Sequence, residues 1–477
     1  MTKGIPLISP EQPSSPPAHP TSQSHPVVRY RVTERNRRIA PRRSNSPLEP
    51  AMNSLTHIPR YLVAAVVAVG LLGTGDRAAG QDPSAPLSVL AVDSPIGVSR
   101  GLSPDEIRAG WIALFDGATL FGWRNEGDAD FRVEEGAIRA DRGSAPCLLR
   151  TETQFDDYEL TVDFRATRTT NSGLFLRTAP RPNDPTGDCF EINIATAEVS
   201  PFTTGSAVGR QKTDMAVDAE QWHRLHARAT GGMIEVSVDG VPTVRLVDSL
   251  PVGRGHIGLQ YNQGTIEFRN VFLRPLDLET IPIEIGEGAW RIGPDSDALH
   301  VGPAESVDTA DGESPAGVRL SGGVGYIESS RTFGDFVLRI EARTGDAGTN
   351  SGLFFRCIPG SDLDGYESQI EHRLVDGDRS KPVDFGTGGI FRRAAARQVV
   401  SDDRTWFVKT IVVEGNRIAV WVDGHQVVDW ADDRKPDPNP RRGARREAGS
   451  LALQLHDADT SVEFRHLMAR ELEARRR

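Results

Sequence analysis

Apolar and polar positions alternate through most of this chain. In YELTVDF (158–164), Tyr158, Leu160, Val162 and Phe164 fall on one side and Glu159, Thr161 and Asp163 on the other. The pattern returns at 336–341, with Phe336, Leu338 and Ile340 set against Val337, Arg339 and Glu341. A period of two marks half-buried β-strands. The Asp-Gly pairs at 239–240 and 423–424 separate strand-like runs and predict tight hairpins. Helical periodicity is scarce. SPDEIRAGW (103–111) is one candidate, with Ser103 and Glu106 spaced as a capping box. Many short antiparallel strands punctuated by Gly, Asp and Pro predict an all-β fold of the sandwich or jelly-roll kind.

The strands come in two matching sets. NSGLFLR (171–177) recurs as NSGLFFR (350–356), and the match extends from 155–177 onto 333–356, with one more residue in the second copy. CFEINIA (189–195), QWHRL (221–225), IEVSVDGVP (234–242) and LQYNQGTIEFRNV (259–271) also have counterparts, in the same order: GYESQIE (365–371), TWFVK (405–409), IAVWVDGHQ (418–426) and LQLHDADTSVEFRHL (453–467). Internal repetition of this kind implies two copies of one unit. The copies are placed at 104–276 and 286–472, joined by a Pro-containing linker at 277–285.

The first hundred residues read differently. Residues 1–51 are rich in Pro, Ser and Arg, carry 8 Lys/Arg against 3 Asp/Glu, and have no apolar periodicity. They are expected to be a disordered basic segment. YLVAAVVAVGLL (61–72), preceded by Arg60 and followed by the small residues AAG (78–80), has the anatomy of a secretory signal over 52–80. Met52 therefore reads as the true start, and 81–103 as a linker. The apolar run is short for a membrane span, so a secreted or periplasmic protein without a stable span is expected after cleavage; the alternative is an uncleaved anchor with a basic cytoplasmic arm. The formal charge is −11, and the body beyond residue 80 is more acidic still. An acidic exported body argues against nucleic acid as partner. Cys147, Cys189 and Cys357 are too few for a disulfide framework. A Cys147–Cys189 bridge is left open.

Candidate chemistry follows from the strand rule. In GLFLR, Phe175 and Arg177 share a face opposite Leu174 and Leu176; in FEIN, Glu191 and Asn193 share a face. The second copy repeats the set with Phe354, Arg356, Glu367 and Gln369. An Arg fork, a carboxylate and an amide on one sheet face suit a polyhydroxylated ligand, and Phe175 or Phe354 would add a stacking surface. The same pattern also describes surface ion pairs on a solvated face. The Gly-rich loops 202–212, bearing Arg210 and Lys212, and 384–393, bearing Arg392 and Arg393, follow the Glu strands and are placed to lid that face. Neither is a phosphate-binding loop of the Gly-Lys-Ser/Thr kind. His372, next to Glu371, completes the candidates. No His or Cys spacing indicates structural zinc.

The words GWIALFDGATLFGWR (110–124), NSGLFLR, DCFEINIA, TGSAVGRQK, QWHRL, VDGVP and GHIGLQYNQGTIEFRNV together resemble the 3-keto-disaccharide hydrolase domain family. NSGLFFRCIPGSDLDGYESQIEH (350–372) resembles that family's central segment, although LFDG is missing from the second copy. The resemblance implies two concanavalin A-like jelly rolls with saccharide bound on the concave sheet. It also implies cleavage of glycosides already oxidised at C3. A C3 ketone acidifies the C2 proton, so a base near C2 and a positive group near the C3 oxygen allow elimination at C1 followed by hydration. On that reading Glu191 and Glu367 are the bases and Arg177 and Arg356 stabilise the oxyanion. Asn193 and Gln369 orient hydroxyls, assisted by Arg210, Lys212 and His372. No cofactor is required, and a divalent metal is an alternative electrophile. The competing readings are a non-catalytic carbohydrate-binding module and a structural surface protein.

Overall fold

The computed structural model describes residues 99–472, apart from 145, 249–252, 295, 297 and 305–316. The basic segment 1–51, the signal at 52–80 and most of the 81–103 linker lie outside the described residues. What is described is almost wholly β. The candidate helix forms as Pro104–Arg108, and Ser103 caps it in a complete capping box with Glu106.

The strands make four antiparallel sheets, paired into two jelly-roll sandwiches. In each, an eight-stranded sheet packs on a five-stranded one. The first sandwich's five-stranded sheet runs Trp123–Glu126, Cys147–Thr151, His256–Tyr261, Asn171–Thr178, Phe190–Ala195. The second's runs Trp290–Ile292, Gly325–Phe333, Gly449–Leu455, Ser351–Cys357, Tyr366–Ile370. Alternation along these strands sends Leu174, Leu176, Ile192 and Ile194 into the first core, and Leu353, Phe355 and Ile370 into the second. Phe175 and Phe354 take the opposite face.

The repeated heptad can now be explained residue by residue. Ser172 and Ser351 donate to the carbonyls of Gln260 and Gln454 on the neighbouring strand, at 2.7 and 2.5 Å. Gly173 and Gly352 lie beneath Glu191 and Glu367. Leu174 and Leu353 enter the cores, while Phe175 and Phe354 face out.

The arginines depart from the expected face. Arg177 and Arg356 sit at φ +50°, where each strand slips register by one residue against its neighbour. Such a β-bulge breaks the alternation and re-aims the side chain. Both are only 1% exposed. Arg177 Nε donates to Asp156 O at 2.8 Å, its Nη1 to Gly231 O, and its Nη2 to Asp157 Oδ1 at 2.5 Å. Arg356 repeats this with Gly334 O at 3.0 Å, Gly415 O at 2.7 Å and Asp335 Oδ1 at 2.8 Å. With their guanidinium groups spent on these partners, they bind together the loops at one end of each sandwich.

The sandwiches are fused. Trp421, on the outer face of the second large sheet, belongs to the first sandwich's apolar cluster, and its Nε1 donates to Ala113 O at 2.9 Å. Two ion pairs cross reciprocally. Arg470 of the second sandwich reaches Asp157 at 2.9 Å, and Arg254 of the first reaches Asp335 at 2.8 Å. The expected linker at 277–285 is partly built into the second sandwich. Glu279–Thr280 pairs with its last strand, and Ile281 and Ile283 join its core.

Candidate functional site

Each five-stranded sheet carries a pocket on its outer face. In the first sandwich a cavity of about 380 Å³ is lined by Leu148, Phe175, Glu191 and Gln260, with Pro146, Pro180, Pro182 and Pro185 among its walls. In the second a cavity of about 300 Å³ is lined by Phe354, Tyr366, Glu367, Gln369 and Gln454, and by Phe391, Arg392, Arg393, Arg441 and His456. Each pocket thus sets a glutamate beside an aromatic ring. Phe175 stands opposite Glu191 in register, and Phe354 opposite Glu367.

The floors are built alike. A Cβ placed on Gly173 would stand 3.3 Å from Glu191 Oε1; on Gly352 it would stand 2.7 Å from Glu367 Oε1. The glutamates thus lie flat across a strand that has no side chain at that point. Burial pushes Glu191 above the usual carboxylate range, opposed by a hydrogen bond from Gln260. Burial pushes Glu367 up to about 7. The positive fields of Arg441, His456, Lys409 and Arg392 oppose that rise. The side-chain oxygens of Gln260, Gln369 and Gln454 are buried with no partner among the described residues. These free acceptors beside the carboxylates suit hydroxyl donors.

The walls differ. After each Glu strand the chain returns as an irregular edge. Val208 N donates to Glu191 O at 2.9 Å, and Phe391 N to Glu367 O at 3.0 Å. The next residue is Gly209 at φ +72° in the first copy and Arg392 at φ +59° in the second. Only glycine takes that conformation freely; a side chain there costs about 1 kcal/mol or more. The second copy bears this strain and gains a guanidinium at the pocket with no ion-pair partner among the described residues. Equivalent chain positions put Asn262 in the first copy where the second has His456, each donating its backbone N–H to Asn171 O or Asn350 O at 3.3 Å. Arg181, the cation at the first pocket, pairs with Glu126 at 2.9 Å.

Several expected site residues lie elsewhere. Asn193 faces the same way as Glu191, but its amide is spent on Phe202 O beneath the 202–212 loop. Gln369 does line the second pocket, holding Asp384 O at 3.1 Å. Arg210 turns away from the cavity to Pro185 O and Thr186 O, over the Phe190 ring at 4.3 Å. Lys212 is exposed, 4.9 Å from the Phe202 ring. His372 is buried outside the pocket between Asp403 at 3.2 Å and Ser401 at 2.9 Å. In each case a local carbonyl, ring or carboxylate captures the side chain before it reaches the cavity. The 384–393 loop does wall the second pocket, as its position after the Glu strand predicts. Arg441 and His456 were not singled out from the sequence. The basic run RRGARR (441–446), in a stretch longer than its first-copy equivalent, was the available signal for Arg441.

Cys147, Cys189 and Cys357 are free thiols, so the open Cys147–Cys189 bridge is absent. Among the described residues no three His, Cys, Asp or Glu side chains form a metal-ligating group. Among them, too, no helix is long and apolar enough to cross a membrane.

Paired jelly rolls, each with a carboxylate-floored pocket on its smaller sheet, define a tandem concanavalin A-like protein. The chain belongs to the 3-keto-alpha-glucoside-1,2-lyase-like domain family, whose profile matches residues 110–274 and 293–470, one match per sandwich. No curated protein matches it. Among solved structures it is similar to a Parabacteroides distasonis protein described provisionally as a glycosyl hydrolase, at 17% identity over 38% of this chain and 100% of that one, TM-score 0.33. It is also similar to a carbohydrate-binding module, CBM66, from Bacillus subtilis, at 17% identity over 32% of this chain and 95% of that one, TM-score 0.27. A Bacillus licheniformis β-glucanase matches at 13% identity over 42% of this chain and 99% of that one, TM-score 0.28.

Proposed function

We propose that this protein is an exported enzyme that opens the glycosidic bond of 3-keto-glycosides or 3-keto-disaccharides by elimination and hydration, and that the second sandwich does the chemistry. The observation that carries this reading is Glu367 on its glycine floor beside Arg392, a cation with no ion-pair partner among the described residues, held in a strained backbone position. Export, to the periplasm or beyond, rests on the 52–80 segment alone.

The Glu367 carboxylate removes the C2 proton, and the C–H electron pair moves into an enolate whose charge sits on the C3 oxygen. Arg392, with Arg441 and His456 around it, stabilises that charge as it develops. The enolate then collapses and expels the C1 oxygen, which leaves as an alcohol once protonated. Water adds across the resulting C1–C2 double bond, giving net hydrolysis. A base titrating near neutrality suits a proton transfer of this kind.

The first sandwich supports a second role, saccharide binding without turnover. It keeps the ring, the glutamate and the free amide oxygen, but has Gly209 and Asn262 where the second has Arg392 and His456.

The test is release of aglycone from a 3-keto-glucoside and from its unoxidised parent by the full chain. Turnover of the keto form alone, abolished in Glu367→Gln and retained in Glu191→Gln, is expected. Loss in Glu191→Gln instead would move the chemistry to the first sandwich. No turnover, with saccharide binding by calorimetry, would make both units binding modules.

A further inference from the structure

The core of the second sandwich contains a lysine. Lys409 lies on the inward face of Phe407–Glu414, between the core residues Phe407 and Ile411, and is 0% exposed. Its strand neighbours in register are Ile340 and Val422, both apolar. The Nζ crosses to the small sheet and donates to Ser368 O at 3.1 Å and Gln369 O at 3.0 Å, the two carbonyls that follow Glu367. No carboxylate bonds it among the described residues. Beside it, Ser368 Oγ is buried without a partner among the described residues.

The first sandwich shows what ordinary packing looks like here. Register places Leu225 where the second copy has Lys409: Leu225 pairs with Val162 and Val238, as Lys409 does with Ile340 and Val422. Ile192 stands in the place of Ser368, each opposite the motif leucine, Leu174 or Leu353. Ile192 and Leu225 are both core residues. An apolar pair has thus become a polar pair directly behind one glutamate and not behind the other. A buried ammonium without a bonded counter-ion is costly to folding, so stability alone does not account for it.

We propose that Lys409 is a positioning residue for Glu367: from behind the sheet it fixes the strand that carries the carboxylate, and its charge favours the ionised, proton-accepting form. The titratable and charged groups lining the pocket with Glu367 are Tyr366, Arg392, Arg393, Arg441 and His456. Lys409 is the cation on the opposite side of the strand. The two sites feel each other: burial pushes the Lys409 ammonium down to about 7, and the field of Glu367 opposes that fall. A positive charge nearby lowers a carboxyl pKa, and removing it returns that shift; on Glu367, Arg441 and His456 act more strongly than Lys409.

The role of Glu367 in turnover rests on the function proposed above, so the deciding measurement uses no substrate. Full-length protein carrying ¹³C-carboxyl glutamate would be titrated by carbon NMR, with Glu367 identified by difference from Glu367→Gln. Lys409→Met is expected to raise the Glu367 midpoint, by less than Arg441→Met does, whereas Lys409→Arg leaves it in place. If Lys409→Met does not fold, Lys409→Leu with Ser368→Ile restores the first sandwich's pair and reads the same shift. An unmoved midpoint in a folded variant overturns the proposal. A moved midpoint without any 3-keto-glucoside turnover would uphold it and reject the enzymatic reading. If turnover exists, the acid limb of its pH profile must move with the midpoint.

Discussion

Glu367 rests on Gly352. The nearest carboxylate oxygen is 2.7 Å, and Cγ 2.9 Å, from where a Cβ on that glycine would stand. Gly352→Ala is therefore expected to lift the carboxylate off its floor while the strand itself accepts alanine. Turnover should fall at least tenfold, equivalent to about 1.4 kcal/mol of transition-state stabilisation. The matching Gly173→Ala has 3.3 Å of room over Glu191, so ligand binding by the first pocket should weaken less. Steady-state kinetics and calorimetry on the two variants check the ordering.

Arg392→Gly puts into the second sandwich the residue that the first carries. Relief of the left-handed strain should leave the protein as stable, or more stable by about 1 kcal/mol. Loss of the guanidinium should cost about a hundredfold in kcat/KM if it stabilises an oxyanion. A thermal melt and a rate measurement on one preparation separate the effects, and unchanged kcat/KM would remove Arg392 from the mechanism.

Arg177→Ala should behave in the opposite way. It leaves Asp157 and two loop carbonyls short of a buried donor, at a cost of about 3 kcal/mol. Turnover of the folded variant should stay at the parent value. Denaturant unfolding beside kinetics decides; a stable but inactive variant would restore Arg177 to the site.

The protonation of Glu367 gives two pH dependences of opposite sense. As a base it works only when ionised, so kcat/KM should rise with pH through a midpoint near 7. Stability runs the other way. Its folded pKa lies above its unfolded one, so its contribution is full below the unfolded value and is lost as pH rises through about 7. Glu367→Gln should therefore melt higher than the parent at pH 8, with the gap closing towards pH 4.

The fold could be read from the letters because pleating imposes a period of two. That rule alone sends Leu174 inward and sets Phe175 opposite Glu191 on the pocket face. It failed at Arg177 and Arg356, where one extra residue in each strand shifts the phase without leaving a mark in the hydrophobic pattern. The repetition of those arginines fits both a ligand site and a structural pair, and their partners Asp157 and Asp335 repeat in the same aligned segments. A buried pair explains the recurrence equally well. Lys409 was hidden for another reason: strand alternation marks position 409 as inward, but nothing in it says that the inward residue serves a carboxylate on the facing sheet.

The reciprocal pairs Arg470–Asp157 and Arg254–Asp335, with Trp421 seated in the other sandwich's core, make each half the template for the other. A gene fragment encoding either sandwich alone would yield a chain with an uncovered apolar wall and one aspartate stripped of half its neutralising charge. The duplication is therefore no longer divisible. What reads as two copies of one module is thus packed as a single body, in which the two pockets keep one shape and differ in their walls.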